Sequence, residues 1–80
     1  MQLSDFFNAS DKTVSNTAIK LDSLKQDLVA GSINADEYND LVNDVTMVSE
    51  AERSGRTMSQ LSMLNKTLQT LKALAIFVPL

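Results

Sequence analysis

Eighty residues with no cysteine, histidine or tryptophan and a formal charge of −3 leave few chemistries open. Disulfides, thiolate and imidazole metal ligands and the commonest general base are excluded together, and a nucleic-acid backbone would find no cluster of cations to meet. With 44% apolar and 21% charged residues the chain is too hydrophobic for intrinsic disorder, yet a domain this short buries only about 60% of its unfolded surface, so helix packing or association must supplement a thin core.

The first element expected is a helix over about residues 11–30. Phe7, Val14, Leu21 and Leu28 recur at sevens with Leu24 between them, and Ser10 and Thr17 fall into the remaining inward slots. Gly31 can take the left-handed conformation that ends a helix, and Asn34 with Glu37 three residues later has the form of a capping box. A second helix is therefore expected over 35–53. On it Tyr38, Leu41, Val45 and Val48 step by three and four with Val42 beside them, and Asp36, Asp40, Asn43 and Asp44 lie opposite. Gly55 then offers a second stop, with Thr57 as N-cap and Gln60 at the third helical position of a helix over 58–77. Leu61, Leu64, Leu68, Leu71 and Ala75 form its inward series, Met58 and Leu74 flank it, and Pro79 cannot continue it.

The pattern implies an all-α fold: a small antiparallel three-helix bundle, residues 1–80 forming a single helical domain. The alternative keeps Gly55 inside a helix, at about 1 kcal/mol, and fuses 34–77 into one long arm of a helical hairpin. The inward series shifts phase between Val48 and Leu61, which favours the break.

Charge is segregated along the chain. Residues 34–53 hold six acidic side chains, Asp36, Glu37, Asp40, Asp44, Glu50 and Glu52, against Arg53 alone, whereas from Arg56 onward the charges are Arg56, Lys66 and Lys72. Asp36, Asp40 and Asp44 at intervals of four could gather a divalent cation, but a straight helix cannot build the bent oxygen cage that calcium requires. A solvated face is the plainer reading, and a docking surface for a basic partner the more credible use. Catalysis has no footing: Glu50 and Glu52, two apart, point to different sides of a helix, and Ser59 and Ser62 have no imidazole to activate them. No cofactor is expected.

Met47, Met58 and Met63 read as core filling, with an adaptable binding groove as the alternative, and Phe6 and Phe7 as a cap on the bundle or an anchor for a partner. Residues 73–80 are apolar all round, more than one inward stripe of a bundle can bury. Leu71, Leu74, Ile76, Phe77, Val78 and Leu80 are therefore the candidate partner-binding residues, with Asp36, Asp40 and Asp44 as the alternative acidic site. The N-terminus has neither the basic region nor the apolar run of a secretory signal, and the C-terminal run is far short of the roughly 20 residues that span a bilayer. A soluble protein, cytoplasmic or virion-associated, is expected.

The stretch 24–38, with its leucines, Gly31, Ile33, the Asn34 cap and the Glu37-Tyr38 pair, resembles the SHOCT-type short helical hairpin, an appended module thought to serve assembly. Glu37-Tyr38 followed by Val45-Thr46-Met47 is similar to the second helix of type III secretion needle subunits, which are also short and cysteine-free and polymerise through an apolar C-terminal helix. The proline-flanked turn of that family is absent here. Size, polarity and missing cysteines also fit small virion proteins of tailed bacteriophages. All three resemblances imply a non-enzymatic structural or assembly protein whose partner is protein, either further copies of itself or a larger assembly. A small acidic adaptor or inhibitor docking through the second helix is the alternative.

Overall fold

The computed structural model describes residues 2–50 and 55–76, with side chains throughout except at 48–50. A short 3₁₀ turn, Leu3–Phe6, precedes α1 (Lys12–Ala30), α2 (Ala35–Glu50) and α3 (Met58–Ile76), and no strand occurs among the described residues. Each helix packs against the other two, and the 3₁₀ turn packs against α1 and α3.

The boundaries are set by local hydrogen bonding. Asp11 is the N-cap of α1, its carboxylate accepting from the Thr13 N–H at 2.9 Å. At the far end Gly31, with φ of 80°, donates its N–H to the Leu28 carbonyl at 3.1 Å while the Ser32 N–H reaches the Asp27 carbonyl at 2.9 Å. This is the Schellman closure that returns orphaned carbonyls to use. Asn34 and Glu37 form the expected reciprocal box: the Asn34 Oδ1 accepts from the Glu37 N–H at 2.8 Å and the Glu37 Oε1 from the Asn34 N–H at 3.1 Å. Thr57 and Gln60 repeat it at the start of α3, at 3.2 and 2.8 Å.

Gly55 has a φ of 72°, outside any right-handed helix, and the Thr57 box opens α3 two residues later. The fused rod over 34–77 is thereby ruled out. The bundle runs up, down and up: Tyr38 in the first turn of α2 meets Ala75 in the last turn of α3, and Arg56 just before α3 meets Asp11 just before α1.

Val14, Ala18 and Leu21 from α1, Tyr38 and Val42 from α2, and Leu64, Leu68, Leu71 and Ala75 from α3 make the core, and Leu3 from the 3₁₀ turn joins it. Phe6 and Phe7 pack against that core, half-buried. At roughly 1.5–3 kcal/mol per fully buried large apolar side chain, this cluster is the main source of stability. Three hydroxyl residues are buried with it. Thr46 donates to the Val42 carbonyl at 2.8 Å and Ser15 to the Phe7 carbonyl at 2.6 Å, so neither carries an unmet hydroxyl inward, and Thr17 is the third.

The structure corrects several inward assignments. On α2 the buried residues are Tyr38, Val42 and Thr46, whereas Leu41 sits at the exposed edge and the side chain of Val48 lies outside the described residues. Thr46 can be buried on that side because its hydroxyl is satisfied by the carbonyl one turn back. Ser10 is exposed, not inward. Met47, Met58 and Met63 are 66%, 81% and 71% exposed, so none of them fills the core.

Candidate functional site

Three surfaces follow from this frame. The first belongs to α3. Over its 19 residues the helix carries two charges, Lys66 and Lys72, and no acid. Beyond the buried stripe it shows solvent Met58, Met63 and Ile76, separated by Ser59, Ser62, Asn65 and Gln69. Methionines this exposed do not fill the protomer's core.

The expected partner-binding residues at its C-terminal end divide by position. Leu71 is fully buried among the core leucines, so it serves the protomer's own packing and faces no partner; the helical phase that puts Leu64 and Leu68 inward puts Leu71 with them. Leu74 is half-buried against the core, and Ile76 is 49% exposed. Phe77, Val78 and Leu80 lie outside the described residues.

The second surface is α2. Asp36, Asp40 and Asp44 are all exposed, Glu37 is exposed beside them, and the helix contains no basic residue. Among the described residues these three aspartates form no ion pair and converge with no further metal-ligating groups. Spaced by four, they repel one another along the helix. Leu41 and Met47 are the exposed apolar side chains of the same helix.

The third is a cleft of about 440 Å³ where α1 and α3 both begin, lined by Asp11, Val14, Arg56, Met63, Leu64 and Thr67. Its polar wall is a clasp. The Arg56 guanidinium donates to both Asp11 carboxylate oxygens and, at 2.9 Å, to the Thr13 hydroxyl. Asp11 thus caps α1 and ties down the entry to α3. Sequence reasoning missed this pair because its members are 45 residues apart. The clasp consumes the charge of both groups, leaving the cleft without a free anion or cation to offer a ligand.

The bond from Arg56, reinforced by the Thr13 N–H, holds the Asp11 carboxyl below its ordinary value of 3.8. A depressed folded-state pKa contributes stability that is complete above the unfolded value and disappears as pH falls through the folded one. Urea unfolding across the acid range is therefore expected to show a loss below about pH 4 that is smaller in Asp11→Asn, which keeps the cap but not the charge. Asp11→Ala removes both and should cost about 1–2 kcal/mol at neutral pH.

Ser59, Ser62 and Lys66 are all exposed, and no helix among the described residues is long and apolar enough to cross a membrane. No family model matches the sequence, and no curated protein or solved structure matches the chain.

Proposed function

We propose that this chain is a non-enzymatic helical assembly protein that associates with further copies of itself through the exposed side of α3 and the apolar residues that follow it. One observation carries the reading: a 19-residue helix with only two charges that leaves Met58, Met63 and Ile76 in water. Leu74, Ile76, Phe77, Val78 and Leu80 are the residues that association would bury. A small bundle without disulfides gains from such burial, since its own core supplies only a few kcal/mol of net stability. The resemblances to the SHOCT-type hairpin and to needle and virion subunits agree in kind, pointing to assembly and not to a reaction.

The test compares the wild type with Ile76→Lys and with Phe77→Ser in size-exclusion chromatography with light scattering. Loss of the larger species in both variants, with helicity unchanged, is the expected result. Unaltered mass in both would remove α3's end from the account.

A second reading has its own support. Asp36, Asp40 and Asp44 carry charge with no cation to meet it among the described residues, as a helix docking onto a basic partner would. That reading requires a foreign partner whose binding weakens as salt is raised.

A further inference from the structure

We infer that the surface α3 meets on a second copy is the acidic face of α2, so that the two helices form the two halves of one contact between copies. The inference rests on the self-association proposed above and adds the identity of the receiving face. Its basis is complementarity of charge between two helices that leave theirs unspent. Every charged residue of α2 is acidic and every charged residue of α3 is basic. Both sets are exposed or half-exposed: Asp36, Asp40 and Asp44 on one side, Lys66 and Lys72 on the other.

Within one protomer they do not neutralise each other. Although α2 and α3 pack together, no ion pair joins them among the described residues; the cation that is paired, Arg56, turns to Asp11. The aspartates at intervals of four are left repelling one another, a cost that a cationic helix laid alongside would relieve. Apolar groups accompany the charge on both faces, Leu41 and Met47 on α2 and Met58, Met63 and Ile76 on α3. An interface needs that combination, with apolar side chains for burial and opposite charges for register and for rejecting wrong partners. Because the two faces differ, the contact is heterologous: each copy has one of each to offer, and the array closes into a ring or extends according to the rotation between neighbours.

Reversing charge on one face at a time tests this. Asp40→Lys with Asp44→Lys makes α2 basic, and Lys66→Glu with Lys72→Glu makes α3 acidic; all four positions lie at the surface, so the bundle is retained and circular dichroism checks it. Each double variant alone should associate roughly tenfold or more weakly than the wild type, because like charges now face each other. Mixed in equal amounts the two should recover association, since the basic α2 of one meets the acidic α3 of the other. Recovery on mixing, together with weakening of wild-type association by salt, supports the contact. Association of either variant at wild-type strength, or a mixture no stronger than its components, overturns it while leaving self-association through α3 standing. A wild type that never exceeds the mass of one chain overturns both.

Discussion

Leu71→Ala is expected to destabilise the folded protomer by about 2–5 kcal/mol, read as a lowered urea midpoint or melting temperature. Leu71 is fully enclosed by Leu64, Leu68, Ala75 and their partners in the core, and truncation leaves a cavity in a bundle with few layers to spare. For a domain of this size each kcal/mol moves the melting temperature by about 4–8 °C, so the effect is large against any assay error. Ile76→Ala, five residues on and half exposed, should change protomer stability by no more than about 0.5 kcal/mol. The pair separates two roles that a single apolar run conceals. Were Leu71 a partner-facing residue, its truncation would alter association and leave the melting of the protomer nearly untouched.

Tyr38→Phe is expected to cost about 1–3 kcal/mol, although it deletes one oxygen and no apolar surface. The buried Tyr38 hydroxyl donates to the Ala75 carbonyl at 2.6 Å. Ala75 is itself fully buried, so phenylalanine would take away the hydroxyl that meets its carbonyl where water does not replace it. The same bond pins the first turn of α2 to the last turn of α3.

Burial, with the negative charge of Asp22 adding to it, raises the pKa of the Tyr38 phenol above its ordinary value of 10.0. A raised folded-state value gives stability that is complete below the unfolded pKa and is lost as pH rises through the folded one. Alkaline unfolding should therefore begin above about pH 10 in the wild type, with Tyr38→Phe lacking that component. As this is the one tyrosine in a chain without tryptophan, tyrosinate absorbance follows the group directly.

What the sequence made legible was whatever depends on neighbours within a turn. Gly31, the Asn34–Glu37 box and the Thr57–Gln60 box each close on residues at most a few positions away, so residue type and spacing were enough to place both inter-helix breaks. The leucine series of α3 was legible because Leu64, Leu68 and Leu71 share one helical phase. Failures came where a polar side chain could be buried cheaply. Thr46, bonded to its own preceding turn, displaced Leu41 from the core, and Ser15, bonded to the Phe7 carbonyl, lies inward where apolar periodicity gives no sign. The 3₁₀ turn is too short for any period to mark it. Its start is held by the Gln2 N–H donating to Asp5 at 2.8 Å, and its Leu3 reaches the core from outside the helices.

The candidate surfaces were partly legible for the same reason. The acidic run of α2 was visible in composition, and Asp36, Glu37, Asp40 and Asp44 are exposed. The methionines were not, because thioether side chains suit core and surface equally and their helical phase alone decides between them. Leu71 was drawn into the partner surface by its nearness to the apolar end, while its phase assigns it to the core.

Sedimentation equilibrium of the unmodified chain over a wide concentration range addresses the central claim most directly. Exposed apolar side chains on α3 predict a weight-average mass that climbs with concentration, and the pairing of its lysines with the acidic face of α2 predicts that the mass falls back when salt is added. A mass equal to one chain at every concentration and every salt level would contradict it, and α3 would then be an ordinary outer helix of a solitary bundle.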